Sequence, residues 1–190
     1  MMQHITTNGI KLAYRIDGNP NGPTLILSNS LMSSVAMWDD TMPALTEKFR
    51  VIRYDKRGHG QSEVTPAPYS IGLLSQDLIG LMDALGIAKA HLAGLSMGGM
   101  ICQYVGANYP ERVLSLSLCD TASEMPPRNL WEERFTIARK DGIAGLVDGT
   151  IKRWFVAGFP ERESAKIAAV RTIDPAGAQD QVPGVDLRQR

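Results

Sequence analysis

The residues with the clearest capacity for chemistry are those of Gly94-Leu95-Ser96-Met97-Gly98. A serine with this spacing of glycines is typical of a sharp turn between a buried strand and a helix. On such a turn the hydroxyl of Ser96 would project into a crevice, where it could attack a carbonyl carbon. The amide of Met97, at the start of the helix, could donate a hydrogen bond to the negative oxygen that this attack creates. The pattern therefore predicts acyl transfer with Ser96 as the nucleophile.

A second amide donor for the same oxygen is expected in the loop 28–34, after a short apolar stretch at 24–28. The amide of Leu31 is the candidate. Such a loop needs only an amide that points inward and no particular side chain, so an ordinary polar loop is the alternative.

The elements that must position Ser96 alternate between strands and helices. A hairpin over residues 3–17, with its turn at Asn8-Gly9, comes first. Strands are then expected at 24–28, 50–55, 90–95 and 113–119, and helices at 37–48, 70–85 and 97–108. This alternation predicts an α/β fold with a mostly parallel sheet flanked by helices, which binds ligands at the carboxyl ends of its strands.

Only helical patterns follow the strand at 113–119. They cover 127–139, 143–155 and 160–173, and the last residues have no periodicity. We interpret 1–122 as the core, 123–173 as a helical cap over the crevice, and 174–190 as an irregular C-terminal tail.

The cap contains three candidates for substrate binding, Trp131, Arg134 and Trp154. A guanidinium can hold a substrate carboxylate through two parallel donors, and the tryptophans could shape the pocket. For each of the three residues, amphipathic helix packing with a solvated charge is the alternative.

The composition excludes several other functions. The chain has 20 Lys and Arg against 20 Asp and Glu, so it lacks the excess positive charge of a protein that binds nucleic acid or an anionic membrane. No stretch approaches the roughly 18 apolar residues of a membrane span, and the first residues do not resemble a signal peptide, so we expect a cytoplasmic protein. Cys102 and Cys119 have no ligand-like spacing, and we expect both to be buried apolar residues rather than metal ligands.

Several segments around the serine share a pattern with one family of enzymes. They are Ser28-Asn29-Ser30-Leu31, Arg53-Tyr54-Asp55-Lys56-Arg57-Gly58-His59-Gly60-Gln61-Ser62, Gly94-Leu95-Ser96-Met97-Gly98-Gly99-Met100, Pro110-Glu111-Arg112-Val113, Leu118-Cys119-Asp120-Thr121-Ala122 and Arg153-Trp154-Phe155. These segments resemble the α/β-hydrolase fold family and, within it, the 3-oxoadipate enol-lactone hydrolases of bacterial aromatic catabolism (the β-ketoadipate pathway). The resemblance implies hydrolysis of a small ester or lactone by a Ser–His–Asp triad without a cofactor. Esterases, lipases and cofactor-free haloperoxidases share the serine turn, so perhydrolase chemistry is an alternative.

Three histidines are candidates for the base that a serine nucleophile needs. His4 lies in the first strand and His91 at the entry of its strand, and both are expected to be structural because the base must lie at the carboxyl end of the sheet. His59 is expected at the correct end, in a tight turn that favours a packing role. In the same turn Asp55 and Arg57 are expected to form an ion pair.

The resemblance implies that the acid and the catalytic histidine follow the cap, in segments later than Arg190, where this chain stops. We therefore expect the C-terminal strands of the fold to be missing. Asp120 is a possible acid, with a turn residue as the alternative. A catalytically incomplete remnant that binds a small acid or a partner is the second functional hypothesis.

Missing strands would leave the strand at 113–119 on an exposed edge with Leu114, Leu116 and Leu118. Unpaired edges with apolar side chains favour association. The sequence therefore predicts a dimer through this edge, or poor solubility.

Overall fold

A computed structural model describes residues 1–66, 68–124, 129–172 and 185–186. Its strands are β1 (Gln3–Thr7), β2 (Ile10–Gly18), β3 (Thr24–Ser28), β4 (Arg50–Tyr54), β5 (Tyr69–Ser70), β6 (Ala90–Leu95), β7 (Val113–Cys119) and β8 (Val185–Asp186). Its α-helices are α1 (Met42–Thr46), α2 (Ile71–Ala84), α3 (Met97–Asn108), α4 (Asn129–Asp141), α5 (Val147–Trp154), α6 (Phe159–Arg162) and α7 (Ser164–Thr172). Three 3-10 turns cover Val35–Thr41, Pro110–Arg112 and Ile143–Leu146.

Six strands form one mixed sheet in the order β1-β2-β4-β3-β6-β7. The hairpin β1–β2 is antiparallel, and β2 also pairs antiparallel with β4. From β4 to β7 all neighbouring strands are parallel. The predicted α/β fold with a mostly parallel sheet is therefore confirmed.

The two faces of the sheet are covered by different helices because alternate residues of each strand point to opposite sides. Ile26 aligns with Ile52 and Leu92 on neighbouring strands, and these three side chains join the larger core cluster with α2 and α3. Leu25 and Leu27 face the other side and pack with Met42 of α1. Each fully buried side chain of this size contributes about 2 kcal/mol through removal of apolar surface from water.

The crevice of the fold lies where the chain reverses its direction across the sheet. From β3 the chain moves through α1 to β4, and it then returns through α2 to β6 on the other side of β3. The loops after β3 and β6 consequently leave toward opposite faces, which opens a space at the carboxyl ends of these two strands. The loop 28–34 and Ser96 both lie at this position.

The helix α2 shows how closely the sequence signals locate an element. Ser70 caps its start, where the side-chain oxygen accepts a hydrogen bond from the amide of Leu73 at 3.0 Å. Gly86 follows its end with a φ of 66°, a conformation that glycine adopts without a steric penalty. The predicted helix 70–85 is thus confirmed to within a residue at each end.

The predicted helix at 37–48 is wrong as a single element. The segment consists of the 3-10 turn Val35–Thr41 followed by the short helix α1, with Pro43 at the beginning of α1. Proline has no amide hydrogen, which is tolerated at a helix start but would break a continuous helix through this position. The apolar spacing still places Met42 and Leu45 against the sheet, as predicted.

The turn after β4 is held by buried polar contacts. Arg57 donates to both carboxylate oxygens of Asp77 in α2, at 2.9 and 2.7 Å, and to the carbonyl of Asn8 at 3.1 Å. The expected ion pair between Asp55 and Arg57 is therefore replaced by a pair with Asp77. The carboxylate of Asp55 instead accepts from backbone amides, including that of Val35 at 2.8 Å.

The regular structure described between β7 and residue 172 is helical, as the patterns predict. Parts of the predicted helices 127–139 and 160–173 lie outside the described residues. Of the predicted irregular tail 174–190 only β8 is described, and it pairs in parallel with β5, so the tail prediction is wrong for these two residues. The division into core, cap and tail stays a prediction.

The strand β7 lies at one edge of the six-stranded sheet. Leu114, Leu116 and Leu118 are 52, 38 and 45% exposed. Within residues 1–66, 68–124, 129–172 and 185–186, no strand pairs with the outer side of β7. The expected exposed apolar edge is present in the described part of the chain.

Two further findings concern the exclusions made from the sequence. No helix in the described ranges is both long and apolar enough to cross a membrane. Cys102 is buried, which raises the pKa of its thiol to about 12, whereas Cys119 is only partly buried. The expectation of a buried residue is confirmed for Cys102 and is wrong for Cys119.

Candidate active site

Ser96 sits on a strained turn between β6 and α3. Its φ is 52° and its ψ is −117°, a backbone conformation that residues with a side chain rarely adopt. Its amide donates to the carbonyl of Cys119 at 3.0 Å, and its carbonyl accepts from the hydroxyl of Thr121 at 2.7 Å. The neighbouring strand end after β7 therefore holds the turn on both sides of the serine.

Three glycines allow the turn to pack closely. A Cβ atom on Gly94 would collide with the carbonyl oxygen of Gly98, and one on Gly98 would collide with the carbonyl oxygen of Ser28. A Cβ atom on Gly99 would lie 2.6 Å from the side chain of Thr121. Side chains at these positions would push α3 away from the ends of β3 and β7.

The amide of Met97 lies in the first turn of α3, where no helix carbonyl precedes it as an acceptor. The side chain of Met97 is buried, so only its backbone can act on a ligand. This position agrees with the predicted role of the amide as an oxyanion donor.

The loop after β3 is anchored beneath the site by Asn29. Its side chain donates to the carbonyl of Tyr54 at 2.9 Å and accepts from the indole of Trp38 at 2.7 Å. Met32 in this loop has a φ of 59°, which marks a sharp change of direction. These contacts fix the course of the loop, and the role of the Leu31 amide as an oxyanion donor stays a prediction.

A cavity of about 420 Å³ lies between the carboxyl ends of the strands and the helices after β7. Its lining includes six of the predicted site residues, Leu31, Ser96, Asp120, Trp131, Arg134 and Trp154. The remaining lining residues are Ser30, Met32, Met100, Thr121, Ala122, Thr150 and Arg153. The structure thus brings the predicted nucleophile, a predicted oxyanion donor and all the predicted cap residues to one space.

The side of the cavity formed by α4 and α5 carries two arginines, Arg134 and Arg153. The guanidinium of Arg134 lies 4.3 Å from the ring centre of Trp131, a cation–π contact, and its Nε atom is buried without a hydrogen-bond partner. Burial and the nearby charge of Arg153 lower the pKa of Arg134 to about 10. Within the described ranges neither arginine forms an ion pair, so both remain available to an anion at neutral pH.

Sequence reasoning did not select Arg153 and Thr150 as site residues. The hydroxyl of Thr150 accepts from a guanidinium nitrogen of Arg153 at 3.2 Å. One signal was available in the sequence. Arg153 is adjacent to Trp154, which was a predicted site residue, and both lie in the last turn of α5. The packing of α5 decides which residues of this helix face the cavity, and the sequence alone does not define that packing.

Asp120 directly follows the last residue of β7. Its φ is 40°, a positive value that is uncommon for a residue other than glycine. It lines the cavity together with Ser96. A carboxylate at this edge could orient a base, and its turn conformation agrees equally with the structural alternative. The role of Asp120 as the acid stays a prediction.

None of the three histidines of the chain lines the cavity. His4 contacts the carbonyl of Gln61 at 3.3 Å, and His91 contacts the hydroxyl of Ser115 at 2.8 Å. Both positions agree with the expected structural roles.

His59 is also held away from the cavity. Its Nδ1 atom lies 3.0 Å from the carbonyl of Arg57, and burial together with the charge of Lys56 lowers the pKa of the ring to about 3. The ring is therefore neutral and packed at pH 7, as the tight turn predicted.

The described residues contain no group of three or more His, Cys, Asp or Glu side chains that could hold a metal ion. The polar side chains around the cavity carry hydroxyl, indole and guanidinium groups, with one carboxylate. These side chains include two cations and one anion.

The family model described as alpha/beta hydrolase fold matches residues 23–142, from the start of β3 to the end of α4. This match covers more than half of the chain. The chain belongs to the alpha/beta hydrolase fold family. The resemblance of the separate sequence segments to this family is thereby confirmed.

Individual members of the family are also similar to this chain. The 3-oxoadipate enol-lactonase 2 of Acinetobacter baylyi is 35% identical over 157 residues, which are 83% of this chain and 59% of that enzyme. The enol-lactonase from Burkholderia xenovorans LB400 has a crystal structure that superposes with a TM-score of 0.90 at 40% identity and covers 95% of this chain and 70% of that one. A thermophilic esterase from Thermogutta terrifontis, with malate bound, superposes with a TM-score of 0.87 at 28% identity and covers 98% and 71%. The chain thus spans about three fifths of the length of the Acinetobacter enzyme.

The contact between Gly98 and Ser28 yields a testable prediction. In Gly98→Ala the added methyl group would collide with a backbone carbonyl that cannot rotate away, so we expect a loss of about 2 to 4 kcal/mol in the free energy of unfolding. The measurement is urea denaturation followed by circular dichroism.

The matched control for this variant is Gly149→Ala, because a Cβ atom on Gly149 in α5 would meet nothing within 4 Å. Alanine favours a helix over glycine, so we expect unchanged or slightly higher stability, by at most about 1 kcal/mol. Equal stability of the two variants would contradict the close contact between α3 and the end of β3.

Proposed function

We propose that this chain carries the nucleophile and oxyanion hole of a serine hydrolase that cleaves carboxylic esters or lactones bearing a free carboxylate. The observation that carries the proposal is the strained turn at Ser96, which faces the same cavity as Leu31 and two arginines of the cap. Similarity to enol-lactonases from Acinetobacter and Burkholderia supports the reaction class.

In the proposed reaction the hydroxyl oxygen of Ser96 attacks the carbonyl carbon while its proton passes to a base. The carbonyl oxygen becomes negative and accepts hydrogen bonds from the amides of Leu31 and Met97. The intermediate then collapses, the bond to the leaving oxygen breaks as this oxygen takes up the proton from the base, and an acyl-serine ester remains. Water adds to this ester in the second half and releases the acid and the serine. In a lactone the leaving oxygen stays attached to the acyl group, because the ring opens.

The charge of the cap defines the substrate class within this proposal. An enol-lactone formed from a dicarboxylate such as 3-oxoadipate uses one carboxyl group in the ring and keeps the other as a free carboxylate. Arg134 is protonated at neutral pH, since its pKa of about 10 lies well above 7, and Arg153 adds a second positive charge. The malate bound to the Thermogutta esterase is likewise a dicarboxylate.

A second candidate function is binding of a small acid without turnover. It is favoured by the fact that none of the three histidines lines the cavity, whereas a serine nucleophile needs a base within hydrogen-bond reach. The arginines and tryptophans of the cap would suffice for such binding. The two candidates differ in whether the Ser96 hydroxyl changes the rate of ester cleavage.

The first test is therefore Ser96→Ala in an ester-hydrolysis assay. With p-nitrophenyl acetate as the substrate, we expect the rate above background to vanish, because the attacking oxygen is removed. Ser117→Ala is the control, since Ser117 is an exposed serine on β7 and should leave the rate unchanged.

The same assay is repeated after a separate fragment has been added. This fragment is the part of an enol-lactonase chain that lies outside the region matched by this chain. A rate that rises with the fragment and depends on Ser96 supports the hydrolase. If the parent chain and Ser96→Ala both hydrolyse the ester only at the background rate, with and without the fragment, the result supports binding without turnover.

A second prediction concerns recognition of the carboxylate by Arg134. In Arg134→Gln we expect the Kd for adipate to rise about 10- to 100-fold, because a charged hydrogen bond of about 1.5 to 3 kcal/mol is lost. Isothermal titration calorimetry measures this Kd, and dimethyl adipate serves as a neutral comparison whose affinity should stay the same.

The control for this variant is Arg139→Gln, which removes a positive charge from an exposed position of the same helix. If both variants weaken adipate binding equally, a general effect of charge is at work and the specific role of Arg134 is refuted.

We also propose that two copies associate through the edge strand β7, as its exposed leucines predict. A lysine at an edge opposes strand pairing because its charge would have to leave water. We expect Leu114→Lys to shift a dimer to a monomer in sedimentation velocity. Val156→Lys is the control, since Val156 is an apolar residue with 71% exposure outside the sheet. A monomeric parent chain would overturn this proposal.

A further inference from the structure

Lys56 is a buried cation directly beneath the loop after β3. Only 1% of its surface is exposed, although it follows the strand β4 in the middle of the tight turn. Its ammonium group donates to the carbonyl oxygens of Asn29 and Ser30 at 2.9 and 3.0 Å. Burial of a lysine is costly unless its charge is well solvated by polar partners, so these contacts place a definite constraint on the loop.

The carbonyl of Ser30 is held by a second donor as well. The hydroxyl of Ser33 donates to the same oxygen at 2.8 Å. Two donors on one carbonyl define the direction in which it points. The peptide between Ser30 and Leu31 is therefore fixed in rotation about the chain.

The fixed carbonyl defines the direction of the amide of Leu31. In a trans peptide the C=O and N–H bonds point in opposite directions, because the group is planar. The carbonyl of Ser30 points to Lys56, so the amide of Leu31 points away from it. Ser30, Leu31 and Ser96 all line the cavity, which lies on the side of the loop that faces the serine.

We propose that Lys56 is a positioning residue for the oxyanion hole, which holds the Ser30–Leu31 peptide so that its amide faces the carbonyl oxygen of the substrate. This inference rests on the proposed function, since an oxyanion forms only if Ser96 attacks. It assigns Lys56 no contact with the substrate. Its effect should therefore appear in the rate of the chemical step and leave the binding of the substrate nearly unchanged.

The test uses the reaction of Ser96 with a fluorophosphonate, in which the serine oxygen displaces fluoride and the phosphoryl oxygen occupies the oxyanion hole. Lys56→Met keeps the length of the side chain and removes the donors. We expect its maximal inactivation rate to fall at least 10-fold, while the reagent concentration for half-maximal rate changes less than twofold. Lys48→Met is the control, because Lys48 is exposed, and it should react at the parent rate.

Ser33→Ala provides a second, milder variant in case the methionine destabilises the chain. It removes one of the two donors to Ser30, and we expect a smaller fall of about 3- to 10-fold in the same rate. An unchanged inactivation rate in folded Lys56→Met overturns the proposal. So does an equal fall in Lys48→Met.

A crystal structure of Lys56→Met separates this inference from the proposed function. We expect the Ser30–Leu31 peptide to rotate or the loop to shift, and an unmoved peptide would refute the positioning role whatever the activity. If the parent chain does not react with the fluorophosphonate at all, the proposed function fails. The rotation of the peptide still decides whether Lys56 orients the loop.

Discussion

The candidate site depends on the direct contact between the first turn of α3 and the carboxyl end of β3. Gly98 meets the carbonyl of Ser28 with no room for a side chain between them. This contact brings Ser96 next to the loop that contains Leu31, although the two are 65 positions apart in the sequence. The proposed oxyanion hole would need donors from both elements within about 3 Å of one oxygen, so its formation depends on this short separation.

Buried polar contacts from the loop after β4 support this arrangement. The loop after β4 contributes Lys56 to the carbonyls of the neighbouring loop and Arg57 to the carboxylate of Asp77. Removing one partner of a buried ion pair leaves an uncompensated charge, which typically costs 3 to 5 kcal/mol. Such contacts add little net stability over an apolar core, but they have few alternative geometries. The fold therefore uses charge in this region to define directions of backbone groups.

The sequence predicts most of the fold because its strongest signals are local. The hairpin at Asn8-Gly9 and the turn at Ser96 each depend on a few adjacent residues, and the structure has both. The predicted helix at 37–48 failed because apolar spacing outweighed Pro43 in the interpretation. The partner of Arg57 was missed because Asp77 is brought to it only by the packing of α2 on the sheet.

The candidate site shows the same limit. Ser96 was identified from its motif. Lys56 and Arg153 lie in segments that resemble the family, but those segments do not by themselves give either residue a chemical role. The position of Arg153 depends on the orientation of α5. The position of Lys56 depends on the burial of the turn after β4. Both are consequences of tertiary packing, which residue spacing within a single element does not reveal.

The proposed reaction places two negative charges on one substrate, and in that proposal different parts of the chain would bind them. The carboxylate would face Arg134 and Arg153 on the cap helices, and the developing oxyanion would face amides at the ends of β3 and β6. Guanidinium groups that bind a carboxylate equally well before and during such a reaction would lower KM without changing the barrier from the bound state. Backbone amides gain strength only as charge develops on the carbonyl oxygen, so they act on kcat. Changes in the cap should therefore alter which acids bind, while changes around Gly98 or Lys56 should alter how fast any bound ester reacts.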